Sequence, residues 1–504
     1  MLILKKNYFL VRAKQKKILM KRLNLLLVAM LVSSQLLMAG GLKTNTNQSA
    51  AWVRTMSRNA TLGIDAVYFN PAGLSQLNNG LHLSLSNQSI FQTRKVTSDY
   101  MYLNGTPVDY DAELTAPIFP SIYAAYKMDK WTFSAGFNII GGGGSADFQT
   151  GLPTFEVPVS DLVPMLYSSL QPLDQSIEDA TGWDPGYRNV TGYDMSAGFN
   201  GSSTYYGIQV GATYALNDMI SVAIGGRYVM ASNIYEGSLT GVLIDAPYGD
   251  WQTPGDYLRR IASNPQLPAD VIASLEATAT GLDALTADAE LDATQTGSGF
   301  APIIGVNFHL SDKINIAAKY EHHTKIELTN DTEVDDVNMF PDGEKTRADM
   351  PGLFALGAEV SPLKNLTATA SFNYYLDKSA YYGYTDGNGE QIDNEMTIDE
   401  NGYTWAFSLE YKILSILGVS AGYTSGNNGV NDDYQSGLTY GLKSASWGAG
   451  VFVELGEMIT LNAGYSVTSY DDYSKSQSSS ISVPYIDTYA KSTNMFAIGI
   501  DFSF

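Results

Sequence analysis

Phe496-Ala497-Ile498-Gly499-Ile500-Asp501-Phe502-Ser503-Phe504 closes the chain. In an extended strand Phe496, Ile498, Ile500, Phe502 and Phe504 share one face. Ala497, Gly499, Asp501 and Ser503 share the other. A soluble sheet would bury so apolar a face under a helix or a second sheet. A strand that carries it to a terminal aromatic fits a wall with lipid on one side and water on the other. The reading predicts an all-β fold, a transmembrane antiparallel β-barrel.

The same alternation recurs upstream. Ile220, Val222 and Ile224 oppose Ser221 and Ala223; Leu366, Ala368, Ala370 and Phe372 oppose Thr367, Thr369 and Ser371; Ile459, Leu461, Ala463 and Tyr465 oppose Thr460, Asn462 and Gly464. About ten tilted residues span the hydrocarbon layer. The pattern predicts strands near 81–96, 117–128, 131–141, 202–216, 219–239, 297–310, 314–329, 346–361, 366–379, 402–413, 417–425, 437–455, 458–470 and 488–504, fourteen in all. Very short turns at 127–130, 216–218, 311–313, 363–365, 414–416 and 456–457 alternate with long connections. In such barrels short turns face the periplasm and long loops the exterior.

Composition fits this class. Mean hydropathy is −0.09, as expected when half of each strand is polar. After the first forty residues no apolar run reaches the length of a membrane helix. There are 33 Tyr and no Cys, so neither a disulfide nor a lipid-anchored start is expected. Lys21 and Arg22 precede the apolar run 23–38, and small residues follow at Ala39, Gly40 and Gly41. This reads as an export signal over 1–39, with Met20 a better start than Met1 and a cut after Ala39. Residues 1–39 hold eight Lys or Arg and no acid, which leaves 22 basic against 52 acidic residues, a net of −30. That argues against a nucleic-acid partner.

Two outer connections, 142–201 and 240–296, are too long for ordinary hairpin loops and too apolar for disorder. Leu162, Val163, Met165, Leu166 and Leu170 recur at helical spacing, as do Leu267, Val271, Ile272, Leu275, Leu282 and Leu285. These helices either pack on each other as a lid or hold an apolar ligand in their seam. Leu162, Val163, Leu166, Val271, Leu275 and Leu282 are the candidate groove residues. Gly136 and Gly141-Gly142-Gly143-Gly144 lie in and just after the third strand. Glycine weakens a strand and marks kinks. The four glycines either begin the long loop or bend the wall, and Gly136, Gly141 and Gly142 are the candidate kink.

Residues 40–80 do not read as a strand. They run from Asn47-Gln48-Ser49 through Asp65-Ala66 to Tyr68-Phe69-Asn70-Pro71-Ala72-Gly73-Leu74. Tied to the first strand at its periplasmic end, such a segment can fold inside the lumen. This run resembles the N-terminal hatch of the FadL/TodX-type outer-membrane transporters of long-chain fatty acids and other hydrocarbons. The family's Asn-Pro-Ala signature falls on Asn70, Pro71 and Ala72. The resemblance implies a fourteen-stranded barrel (81–504) plugged by a hatch (40–80), helical loops that offer an external apolar groove, and a kinked wall through which ligand leaves sideways. Pro71 fixes backbone φ and Asn70 offers both donor and acceptor groups to a buried turn, so Asn70, Pro71, Ala72 and Gly73 are the candidate gating residues of the hatch. A final Phe504 resembles the signal read by the barrel-assembly machinery.

Other chemistry has weak support. Gly418-Val419-Ser420-Ala421-Gly422 matches a nucleophile-elbow pattern, but it lies within a strand and no His follows His323. His322 and His323 are neighbours, which on a strand point to opposite faces. Asp386, Asn388, Glu390 and Asp393 lack the later ligand spacing of a calcium loop. No catalytic residue, metal or cofactor is expected. The expected partners are a hydrophobic small molecule, fatty acid or hydrocarbon, and the lipid and lipopolysaccharide of a bacterial outer membrane. The leading reading is passive uptake of such molecules. The alternatives are an adhesive barrel that binds ligands through its loops and a porin for polar solutes.

Overall fold

The computed structural model describes residues 42–247, 250–382 and 394–504. The segment 1–39, read above as an export signal, and the acidic loop at 386–393 lie outside the described residues. The chain forms a closed antiparallel barrel of fourteen strands. They are β1 (Gly80–Ser98), β2 (Val108–Met128), β3 (Trp131–Phe148), β4 (Gly192–Ala215), β5 (Ile220–Ala246), β6 (Ala289–Ser311), β7 (Ile314–Glu321, resumed as Glu327–Asp335), β8 (Lys345–Arg347 with Leu353–Leu363), β9 (Leu366–Tyr375), β10 (Tyr403–Lys412), β11 (Leu417–Asn427), β12 (Ser444–Leu455), β13 (Ile459–Tyr470, resumed as Tyr473–Ser478) and β14 (Pro484–Ser503). A short strand, Asp250–Gln252, folds back on the end of β5.

The terminal strand closes the ring. β14 pairs with β1 from His82↔Ser503 to Ser98↔Asp487, and with β13 on its other side. Its apolar residues face outward, with Ile498 68% and Phe496 54% exposed. Leu85, Ile208, Ile224, Phe300, Leu356, Phe407 and Trp447 on other strands are also exposed. A continuous apolar belt of this kind is untenable in water and matches a hydrocarbon layer. Trp405, Tyr423 and Trp447 of β10 to β12 form one arc of an aromatic girdle, their rings 5.3 Å and 4.6 Å apart in succession.

The short turns fall where the spacing places them, but the outer ends differ. β2 begins at Val108, β3 runs to Phe148, β4 begins at Gly192 and β6 at Ala289. A ten-residue span suffices for the membrane, so a periodicity matched to that span stops short of strands that continue past it. β12 starts at Ser444 rather than 437. Leu438, Tyr440 and Leu442 alternate like a strand, yet they turn into the barrel mouth and are buried. β9 ends at Tyr375, before the 3₁₀ turn Asp377–Ser379.

Candidate functional site: hatch and interrupted wall

Residues 42–76 are folded within the lumen. Ser49 caps the helix Ala50–Thr55 by accepting from the Trp52 amide at 2.9 Å. Asn70 caps the 3₁₀ turn Pro71–Gln76, with Pro71 at its first position where a missing N–H costs nothing. The core of this segment is ionic. Arg58 clamps Asp65 through Nε at 2.8 Å and Nη2 at 2.7 Å, and Ser49 and Thr61 donate to the same carboxylate at 2.9 Å and 3.0 Å. Burial pushes the Asp65 carboxyl up, and the Arg58 guanidinium with these hydrogen bonds outweighs it, holding the group below the usual carboxylate range.

Polar groups on the inner face of nearly every wall strand grip the hatch. Asn70 Nδ2 donates to the Val306 carbonyl at 3.0 Å; Thr213 donates to the Pro71 carbonyl at 2.7 Å and Ser221 to that of Ala72 at 2.8 Å. Gly73 packs against the Thr61 carbonyl. Asn59 reaches the Leu356 carbonyl at 2.9 Å, and Arg54 pairs with Glu410. Ser420 accepts from Arg54 Nη1 at 3.1 Å, and a Cβ at Gly422 would strike the Thr55 carbonyl. The residues of the elbow-like pattern are thus a docking face for the hatch.

The barrel wall is broken between β2 and β3. The two strands pair regularly from Met128↔Trp131 to Ser121↔Asn138, then resume only at Glu113↔Asp147. The stretch 139–146 also slips twice against β4, between Ile139 and Gly141 and between Gly142 and Gly144. Residues 138–141 are buried in succession, which an undistorted strand does not allow, so β3 dips into the lumen here. Gly142 and Gly143 have φ of +63° and +115°. A Cβ at Gly142 would run into the Ser203 carbonyl, and one at Gly141 into the carbonyl of Lys43. The glycines therefore do not begin the loop; β3 continues through them. Gly136 is not part of the break. It pairs with Tyr123 and Gln209 in the closed part of the wall, and a Cβ there would lie 3.0 Å from Val67 of the hatch.

The start of the hatch covers the break from inside. The Asn45 amide donates to the Ile140 carbonyl at 2.8 Å, Asn45 Nδ2 to the Gly142 carbonyl at 2.8 Å, and Gln48 Nε2 to the Ile139 carbonyl at 2.9 Å. On the β2 side Asn87 and Ser89 donate to the Pro117 carbonyl at 3.1 Å and 2.9 Å. Hatch groups thus take up β3 carbonyls that the ladder leaves, while β1 side chains take up the Pro117 carbonyl at a bulge between β1 and β2. The break also sits at a boundary. Ala116, Phe119, Ile139 and Ile140 belong to the apolar cluster of the hatch, whereas Leu114, Ala146 and Phe148 belong to a second cluster in the outer lumen. Sequence reasoning located Gly141 and Gly142, but Asn45, Gln48 and Pro117 carry no spacing signal.

Lys43 leads this cover. Its ammonium lies 4.9 Å from the Tyr382 ring and 5.8 Å from that of Tyr205. Burial pushes the amine down from 10.5 to about 7, against the pull of Asp349. An undocked, hydrated amine keeps the ordinary value, so the undocked form binds more protons between pH 7 and 10.5. Docking therefore tightens as pH rises through that window and is weakest below pH 7. Channel openings in planar bilayers are expected to be more frequent at pH 6 than at pH 9, and Lys43→Met is expected to flatten that difference. Matching pH profiles in the two proteins would contradict this assignment.

The loop helices form their own small core. Leu162, Leu166 and Leu282 are buried in one cluster with Tyr257 and Ile261, and Val163 and Leu275 pack against it. Val271 stands outside it. Phe155 packs against both this cluster and that of the outer lumen, and with Phe199, Leu239 and Leu291 it lines a small apolar groove. His322 and His323 are not on opposite faces. β7 is interrupted at 322–326, so alternation lapses and the two rings lie 4.5 Å apart. Among the described residues no cluster of three or more His, Cys, Asp or Glu is placed to hold a metal.

An outer-membrane protein β-barrel domain family matches residues 162–341. No curated protein matches the sequence. Among solved structures, a Pseudomonas aeruginosa FadL homologue aligns with a TM-score of 0.57 at 13% identity, over 92% of this chain and 99% of that one. The Pseudomonas putida toluene transporter TodX aligns at 0.51 and 14%, over 93% and 100%. The fold is that of the FadL-type barrels. The FadL-type fold and the barrel domain place the chain in the bacterial outer membrane.

Proposed function

We propose that the protein is an outer-membrane uptake channel for hydrophobic small molecules, long-chain fatty acids or aromatic hydrocarbons, which enter beneath the outer loops and leave sideways through the break between β2 and β3. The observation that carries this reading is the wall itself. In a membrane, backbone that leaves the ladder is tolerated only beside a cavity or a covering segment. Here the cover is the start of the hatch, held by the side chains of Asn45 and Gln48. The two apolar clusters that meet at the break give a ligand continuous apolar contact on both sides of it. Transfer of about 25 cal/mol per Å² of apolar area supplies the driving force without a cofactor. The likeness to TodX, described as a toluene transporter, points the same way. A lumen occupied by residues 42–76 speaks against a polar-solute porin.

The test is uptake by cells that carry or lack the protein. A fluorescent fatty acid and labelled toluene, compared with a labelled disaccharide, are expected to show faster entry of at least one hydrophobic probe and unchanged entry of the sugar. Sugar entry that rises while both hydrophobic probes stay at background would overturn the reading.

A further inference from the structure

Between Glu113 and Ser121, β2 has no partner on β3. Pro117 and Pro120 lie within this stretch and carry no N–H, so they donate to neither neighbouring strand. On the β1 side a bulge sets Ser89 against two residues, Pro117 and Ile118, because Gln88 pairs with Phe119 and Ile90 with Ala116. The bulge breaks the alternation of β2. Pro117 and Ile118 are both exposed, and Phe119 turns into the lumen, where it is buried. A Cβ added at Gly143 of β3 would lie 2.5 Å from Cε2 of the Phe119 ring and 3.3 Å from Cγ2 of Ile139. The ring therefore crosses from β2 to the glycine backbone of β3, inside the stretch where the two strands share no ladder. A side chain at position 143 would have to displace it.

Asn87 fixes this ring from the other side of the wall. It lies on the outward face of β1 between Leu85 and Phe91, both exposed. A polar side chain on a lipid-facing wall is costly unless its groups are paired. Asn87 Oδ1 accepts from the Phe119 amide at 3.0 Å, and Nδ2 donates to the Pro117 carbonyl at 3.1 Å. The side-chain amide thus stands in for the peptide group that the bulge displaces, using one donor and one acceptor as a strand would. It grips the backbone on both sides of Ile118 and so fixes the segment that carries the Phe119 ring.

We propose that Phe119 is the side chain that sets the width of the lateral exit, and that Asn87 is the positioning residue that holds it there. The proposal rests on the uptake reading and deepens it by naming what limits ligand size. Phe119 belongs to the apolar cluster of the hatch, so a ligand that reaches the break from the lumen meets this ring. A straight methylene chain is slim enough to pass when the ring turns about its side-chain bonds. A fused polycyclic hydrocarbon needs the space that the ring occupies. The exit therefore separates ligands by cross-section and not by length.

Entry of pyrene and of isotope-labelled dodecanoate into cells carrying matched amounts of folded, heat-modifiable barrel provides the test, with cells lacking the protein as the baseline. Phe119→Ala is expected to raise pyrene entry at least fivefold over the wild type and dodecanoate entry less than twofold. Phe119→Leu, a smaller loss of bulk that the fold tolerates more easily, is expected to give an intermediate ratio. Asn87→Ala is expected to raise the pyrene-to-dodecanoate ratio in the wild-type background and to add nothing to it in Phe119→Ala, because the amide acts through the ring. A merely structural role for Asn87 would shift both backgrounds equally. An unchanged ratio in the folded Phe119 variants, or equal shifts by Asn87→Ala in both backgrounds, would overturn the proposal. If dodecanoate enters through the wild-type protein and the ratio does not move, only this assignment fails. If neither probe enters above the baseline in any variant, the uptake reading fails with it.

Discussion

Replacing Asp65 by Ala is expected to unlatch the hatch while leaving the barrel folded. The change strips Arg58 of its bidentate partner, and the side chains involved are only 15% and 5% exposed. Removing one partner of such a pair costs about 3–5 kcal/mol, because the remaining charge stays buried without compensation. Ser49 loses an acceptor as well, so the capped helix Ala50–Thr55 is loosened at its start. The strand ladders do not run through Asp65, so heat-modifiable mobility is expected to persist. Single-channel conductance in planar bilayers checks this: the variant is expected to show large, frequent openings that the wild type lacks. A variant as quiet as the wild type, with equally slow amide exchange over residues 50–76, would contradict the assignment.

The second large effect is expected at the wall. Val at both Gly141 and Gly142 places a branched side chain against the Lys43 carbonyl and another against the Ser203 carbonyl. Position 142 also has φ of +63°, which a β-branched residue adopts only with strain of about 1–3 kcal/mol. The substituted wall has to shift, and the added bulk fills the break. Uptake of a fluorescent fatty acid is expected to fall at least tenfold at matched amounts of folded barrel. Gly136→Val touches the hatch near Val67 rather than the break and is expected to lower uptake much less. Undiminished uptake in the double variant would place the exit elsewhere.

Much of the architecture is legible in the chain, because a membrane wall imposes a strict period of two and a fixed span. The terminal strand, the short turns and the number of strands all follow from that. The outer ends do not, since strands that continue into water are no longer bound by the membrane span. Tyr440 shows the limit of periodicity. Its neighbours alternate correctly, but only the fold reveals that this face closes the barrel mouth. The wall break is legible through Gly141 and Gly142 and illegible through Pro117 and Asn45, because pairing between strands is a property of two segments and periodicity describes one.

The central claim is that ligand leaves through the wall and not down the lumen past the hatch. Ser57 of the hatch and Ser371 of β9 have hydroxyl oxygens 2.8 Å apart, and the chain contains no cysteine. Ser57→Cys with Ser371→Cys therefore allows one disulfide that ties the hatch to the wall while residues 42–49 at the break stay untied. Fatty-acid uptake by the oxidised double variant, compared with the same cells after reduction, is the most direct measurement. The account predicts that the oxidised protein retains most of its uptake. Uptake that drops to background on oxidation and returns on reduction would show that the hatch must leave the lumen, and would contradict lateral exit.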